Sequence, residues 1–321
     1  MSDTTKGAVA PDDAATAAAA PSLFVWGLIV LLGLVWGGAF FLARVAVAEL
    51  PPLVLVLLRV ALAALTLHLV LLVSGRALWT YRSRWRDFLG MGLLNNAIPF
   101  SLLFVGQTAL GAGLASILNA TTPIWTVLIA HVLTRDERMI PRRLAGVALG
   151  FLGVATMLGP AALGALTSPP WAMLCVVAGA ISYGFGGIFG KRFADVPPAV
   201  TATGQLTAST LVMLPVALLV HDLPDWSAVP GHVWLAVVVL ATASTAFAYL
   251  LFFRILAAAG AVNVSLVTLL VPASAIVLGA VFLDETLSPA AWAGLALIAS
   301  GLLVLDGRLV SRLARPARAA R

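Results

Sequence analysis

The sequence predicts an all-α membrane protein: ten transmembrane helices in two inverted five-helix repeats, with both termini cytoplasmic. Three observations lead there. Of 321 residues, 61% are hydrophobic and only 10% charged, whereas soluble domains carry about a quarter charged residues. The basic residues fall almost wholly on alternate connections. The chain also resembles itself at a distance of about 145 residues, far beyond the repeat length of solenoids.

Apolar runs of about 20 residues, each able to cross roughly 30 Å of hydrocarbon, recur throughout. Mean hydropathy is +1.06. Breaks at Pro, Gly and charge delimit ten segments: 24–47, 52–74, 87–107, 111–133, 143–163, 170–190, 198–220, 231–254, 260–283 and 288–306. Residues 1–22, rich in Ala, Thr, Asp and Pro, read as a disordered cytoplasmic tail. With one Lys and three Asp they make a poor signal-peptide n-region, so the first apolar run reads as a retained helix.

With the amino terminus inside, 17 of the 19 basic residues lie on the cytoplasmic side and none in an outer loop. The other two, Arg44 and Arg59, lie within spans. The pI near 10.4 is thus a topology signal and does not point to nucleic acid. The basic tail, 307–321, is expected to lie against anionic lipid. The single cysteine, Cys175, excludes an intrachain disulfide.

The self-similarity starts at 33–59, where Trp36, Gly37, Gly38 and Arg44 precede a Pro51-Pro52 break and Arg59. It returns as Gly179 to Tyr183, Gly184, Gly186 and Gly187, then Lys191, Pro197-Pro198 and Gln205. Further along, Pro123, Glu137, Pro141, Gly146 and Gly153 match Pro272, Glu285, Pro289, Gly294 and Gly301. Five spans per half is an odd number, so the units 23–165 and 166–306 are expected to be inserted upside down relative to each other. That plan gives one sequence pattern an inward and an outward gate.

The stretch 33–59, the Pro123 helix with Glu137 after it, and the Gly146 helix resemble the first of two EamA-type repeats, and 179–306 resembles the second. The resemblance implies the drug/metabolite transporter superfamily. Within it, the chain is similar to YddG-type bacterial exporters of aromatic amino acids and related metabolites. Also implied are a multi-pass place in the bacterial cytoplasmic (inner) membrane and candidate dimer surfaces on the fifth and tenth spans, so a monomer or homodimer. The second half departs from the pattern where Gln205 replaces Arg59 and Ser182-Tyr183 replaces Trp36.

All 13 acidic residues fall in tails, loops or span ends. A mid-membrane carboxylate, the usual carrier of proton or cation coupling, is therefore not expected, and uncoupled transport is. No His-Glu-x-x-His occurs, so neither a metal site nor a bound cofactor is expected. His68 offers either a proton relay or a polar bond to a neighbouring helix. Arg44 and Arg59 would each cost roughly 3 kcal/mol at a bilayer centre. Arg59 sits about 10 Å into its helix, at 1.5 Å per residue. It is expected to reach the outer surface or the carbonyls of a neighbouring helix in a structural role, in preference to a substrate carboxylate.

What remains mid-span is neutral and paired across the halves: Asn95 and Asn96 with Ser244 and Thr245, Phe100 with Tyr249, Asn119 with Thr268. Ser116, Asn119, Thr122 and Thr126 share one helix face. Such stripes either line a wet cavity or bond helix to helix at under about 1 kcal/mol per bond. Seven of nine tryptophans lie at span ends or in loops, as an interfacial belt requires; Trp36 and Trp125 do not. The expected cavity comprises Trp36, Asn95, Asn96, Phe100, Asn119, Trp125, Tyr183, Gln205, Thr245, Tyr249 and Thr268, with Pro123 and Pro272 as bending points. Uncharged and partly aromatic, it suits a neutral zwitterion with an apolar side chain, in a protein whose other partner is the lipid bilayer. The alternatives are a broad-specificity metabolite or drug exporter and, further off, a membrane-embedded lipid enzyme.

Overall fold

The computed structural model describes residues 21–135, 137, 140–158, 168–222, 224–282 and 289–306. Among them all regular structure is helical. Seven helices are long and apolar enough to cross a membrane: α1 (Leu23–Val47), α2 (Pro52–Val73), α3 (Leu78–Ala109), α4 (Ala112–Leu133), α6 (Pro170–Phe193), α7 (Pro198–Val220) and α8 (Gly231–Ser265). Between and after them lie α5 (Pro141–Leu158), α9 (Val267–Phe282) and α10 (Pro289–Asp306). Each predicted segment has a helix at its place. The third starts earlier than expected, with a 3₁₀ stretch over Leu78–Arg84. The eighth runs on past 254 to a break at Gly260.

Local chemistry sets the ends. α2, α5, α6, α7 and α10 each begin on a proline, whose missing N–H costs nothing in a first turn. α2 ends on Gly75 at φ 64°. There the amides of Gly75 and Arg76 donate to the carbonyls of Leu72 and Leu71, the pairing of a glycine-closed helix end. Along the sides, Leu72, Val73, Val132 and Leu219 are more than 70% exposed. In water such apolar surface would aggregate; here it faces lipid.

The packing changes partners symmetrically between the first five helices and the second five. α2 lies on α7, and α5 on α10. α1 packs on α8 and α9, and α6 on α3 and α4. The main buried cluster draws on α1, α2, α3, α7 and α8, with Leu32, Leu55, Phe88, Phe104, Leu206 and Leu240 at its centre. A second joins α4, α5, α9 and α10 through Val127, Val154, Leu269 and Ile298.

The small residues of α5 and α10 face each other. A Cβ on Gly153 would lie 2.7 Å from the Gly294 carbonyl oxygen, and one on Gly301 would lie 2.6 Å from that of Gly146. These backbones meet directly, as small residues allow between membrane helices. The glycines of these two helices thus meet each other within the chain. Gly301→Val is expected to cost about 1–3 kcal/mol of overpacking, read as a lower unfolding temperature in detergent; an unchanged temperature would rule out the close approach.

Two helices share a departure that hydropathy did not predict. α3 widens to a π-helical turn over Leu93–Ala97, and α8 over Thr242–Phe247. These places are equivalent in the two halves. In the first, the amide of Ile98 donates to Leu93 five residues back. In the second, Ala248 reaches back to Ala243. Each shift leaves a carbonyl without its usual helical donor, so other groups must satisfy it.

Candidate functional site

The freed carbonyls are taken by side chains from the opposite half. Leu94 O accepts from Ser182 Oγ of α6 at 2.8 Å. Asn95 O, to which Pro99 has no N–H to offer, accepts from Tyr249 Oη of α8 at 2.9 Å. In return, Ser244 O of the α8 π-turn accepts from Trp36 Nε1 of α1 at 3.1 Å. Arg59 of α2 donates through Nη2 to the same carbonyl at 3.4 Å and through Nε to Thr245 Oγ1 at 2.8 Å. Behind them, Asn96 Nδ2 donates to Ser209 Oγ at 3.0 Å, and Asn96 Oδ1 accepts from Tyr249 Oη at 2.5 Å. Asn95 Nδ2 donates to Gln205 Oε1 at 3.3 Å. The two π-turns are where the halves are joined.

Beside this junction is a cavity with about 840 Å³ of space free of atoms, open solvent included. Trp36, Phe40, Phe100, Phe104, Tyr183, Tyr249 and Phe252 give it aromatic walls. Asn95, Gln107, Asn119, Thr122, Thr126, Ser244, Ser265 and Thr268 give it neutral polar groups. Tyr183 lies edge-on to Phe100 at 6.4 Å, and Trp36 is 6.2 Å from Phe252. Among the described residues Arg59 is the one charged group in the wall, its guanidinium 3.9 Å from the centre of the Phe100 ring.

Of the eleven residues expected here, seven line the cavity: Trp36, Asn95, Phe100, Asn119, Tyr183, Tyr249 and Thr268. Four do not. Asn96, Gln205 and Thr245 are at most 1% exposed and serve the junction behind the wall. Trp125 bonds within its own helix, from Nε1 to Thr121 Oγ1 at 3.1 Å. Sequence reasoning left out Phe40, Phe104, Phe252 and Arg59. A signal existed for part of α3, since Phe100, Phe104 and Gln107 share a face at intervals of four and three.

The expected bending points differ from each other. α4 is broken at Ala120 and Thr121, and Pro123 sits in the first turn of its second piece, Thr122–Leu133. Pro272 lies inside α9, where it leaves the Thr268 carbonyl without an intrahelical donor.

Buried charge recurs at the end of the bundle that carries the basic connections. Gly260 breaks α8 at φ 82°, a conformation that favours glycine, and residues 261–265 form the turn leading into α9. Glu137, after α4, is 3% exposed. Its carboxylate accepts from the amides of Ala261 at 3.0 Å and Val262 at 2.7 Å, and pairs with Lys191 Nζ of α6 at 3.0 Å. A carboxylate at a helix start is favoured by the free amides and the dipole. Glu285, the counterpart of Glu137 in the second half, lies outside the described residues. Nearby, Arg84 pairs with Asp87 and Asp195 at 2.9 and 3.1 Å on the half-exposed surface, where such pairs contribute little. At the opposite end Arg44 closes α3, donating to the carbonyls of Gln107 at 2.5 Å and Thr108 at 3.3 Å.

Several proteins similar in sequence are transporters by name. The chain is 24% identical to the transporter YoaV of Bacillus subtilis, covering 86% of this chain and 94% of that one. It is 26% identical to the inner membrane transporter YedA of Escherichia coli K12, covering 88% and 90%. With a probable amino-acid metabolite efflux pump of Salmonella typhimurium it shares 28% identity over 90% and 97%. A solved crystal structure of a protein 22% identical superposes with a TM-score of 0.71, covering 90% of this chain and 99% of that one, which shows a shared fold. The sequence profile of the EamA-like transporter family matches twice, over residues 24–159 and again over 170–305. Spanning both halves of the molecule, these two matches place this multi-pass membrane protein in the EamA-like transporter family.

Proposed function

We propose that the chain exports neutral amino acids, aromatic or large apolar ones foremost, and similar metabolites across the bacterial inner membrane by alternating access without proton coupling. The observation that carries this is the cavity: aromatic walls, amide and hydroxyl groups between them, and, among the described residues that line it, one guanidinium and no carboxylate. The apolar side chain of a zwitterion fits such walls. A sugar phosphate would call for several basic groups, and a proton-coupled exchanger for an acidic one. The name of the Salmonella relative supports the substrate class, and that of YedA supports the inner membrane.

The scaffold of this reading is ten spans in two inverted units, 23–165 and 166–306, with both termini cytoplasmic. It is supported by the doubled family match, the π-turns at equivalent places and the exchange of helix partners between the halves. In this conformation the cavity reaches along α1 and α3 as far as Ala43 and Gln107, toward the end closed by Arg44. Glu137 closes the basic, cytoplasmic end. Transport then alternates this closure with one at the other end, with Pro123 and Pro272 as bending points.

Counterflow into proteoliposomes, with a panel of amino acids and with and without a pH gradient, tests the reading. Saturable flux of phenylalanine or leucine, independent of the pH gradient, is expected. No saturable flux of any neutral amino acid would refute the substrate class. Uphill flux driven by protons alone would refute the uncoupled mechanism.

A further inference from the structure

Arg59 brings a full positive charge to a place where the described residues supply no negative one. It is 6% exposed, and a guanidinium cannot shed its proton to escape burial. The ion pairs of the described residues lie elsewhere, around Arg84, Lys191 and Arg192. Its protein partners are one hydroxyl and one long bond to a carbonyl, and Nη1 has no acceptor among the described residues. The rings of Phe100 and Phe104, 3.9 and 5.7 Å away, offset part of the desolvation. They do not provide an anion.

The second half shows that the fold itself does not require this charge. At the matching position stands Gln205, fully buried, whose Oε1 joins the halves by accepting a hydrogen bond from Asn95 Nδ2. A neutral amide suffices for that junction. The charge at Arg59 therefore serves something besides packing, and it faces the cavity.

Two further groups in the same wall lack partners. Gln107 Oε1 and Asn119 Oδ1 are buried and accept no hydrogen bond among the described residues. The Gln107 amide is fixed in orientation because its Nε2 donates to Phe40 O at 3.0 Å, so its free atom is an acceptor. Buried acceptors without donors are uncommon in folded proteins.

We propose that Arg59 is the carboxylate-binding residue of the cavity, and that the ligand is a zwitterionic amino acid. Its carboxylate takes the open Nη1 side of the guanidinium, its apolar body lies on Phe100 and Phe104, and its ammonium is directed toward Gln107 and Asn119. This rests on the export reading and adds what that reading lacks, a polarity for the bound substrate and the residue that reads it.

The test is competition for bound radiolabelled phenylalanine on the purified full-length chain in nanodiscs. Competitors are phenylalanine, phenylalaninamide without the carboxylate, and 3-phenylpropionate without the ammonium. On the wild-type chain phenylalaninamide is expected to compete at least about 10-fold more weakly than phenylalanine, the loss of a charge-assisted bond. Arg59→Gln, which copies Gln205, should weaken phenylalanine by a similar factor and erase its advantage over the amide. Equal competition by phenylalanine and its amide on the wild-type chain overturns the proposal and leaves export intact. That arm needs no variant, so a poorly folded Arg59→Gln cannot obscure the outcome. Absence of any phenylalanine binding overturns both.

Discussion

Glu137→Ala is expected to release the closure at the basic end of the molecule and so move the conformational equilibrium. The buried carboxylate holds three donors at once: the amides of Ala261 and Val262 and the ammonium of Lys191. Removing one partner of a buried, hydrogen-bonded charge pair costs about 3–5 kcal/mol. Lys191 is 28% exposed and water compensates it in part, so about 2–3 kcal/mol is the better figure. At 1.4 kcal/mol per factor of ten, that amounts to a population shift of roughly 30- to 150-fold. The reading comes from a cysteine placed at the cavity residue Ser265, with Cys175 replaced by serine, labelled by an impermeant thiol reagent in inside-out vesicles. Labelling should accelerate by at least about tenfold in Glu137→Ala. Gly260→Ala should act in the same direction, because its Cβ would lie 2.6 Å from Glu137 Oε1 in a conformation that alanine resists. Unchanged labelling in both would mean that the clamp is only structural.

The second large effect separates the junction from the cavity. Asn96→Leu keeps the volume but removes two buried hydrogen bonds, to Ser209 Oγ and from Tyr249 Oη, and leaves those hydroxyls to their backbone partners alone. Residue 96 is fully buried, so a loss of about 2–3 kcal/mol is expected, seen as a lower unfolding temperature. Asn119→Ala removes an amide whose oxygen bonds to nothing among the described residues. Its unfolding temperature should stay close to wild type while amino-acid flux falls. Equal thermal losses in the two variants would place Asn119 in the framework instead of the transport path.

The asparagines show how far the sequence could be read. Hydropathy marks 95 and 96 alike as polar residues in the third span. Neighbours on a helix point about 100° apart, however, so Asn95 faces the cavity and Asn96 faces α7. The π-turns have no residue signature of their own, and they decide the fate of other residues. Trp36 stood out in the sequence as a tryptophan away from the interface. Its partner, the Ser244 carbonyl, is free only because α8 widens there. Arg59 was expected to reach the outer surface or the carbonyls of a neighbouring helix, and it is a carbonyl within α8 that it meets. The same freed carbonyl and the Phe100 ring hold it inside.

What was legible came from strong local rules. Prolines and apolar length placed the helices. The cap that Glu137 forms on the turn after Gly260 was visible only in the structure. Internal similarity paired α3 with α8 and α4 with α9, which bear five of the expected residues that line the cavity, Asn95, Phe100, Asn119, Tyr249 and Thr268.

The account stands on the cavity between the halves being the path of the substrate. Gly187 lines it, and a Cβ there meets only Ala261 Cβ at an ordinary 3.5 Å, so a larger side chain can be accommodated by filling the space. The decisive measurement is phenylalanine counterflow in proteoliposomes by Gly187→Phe, at an unfolding temperature matching the wild type. Loss of saturable uptake is the result predicted; uptake at the wild-type rate through the filled cavity would contradict the account.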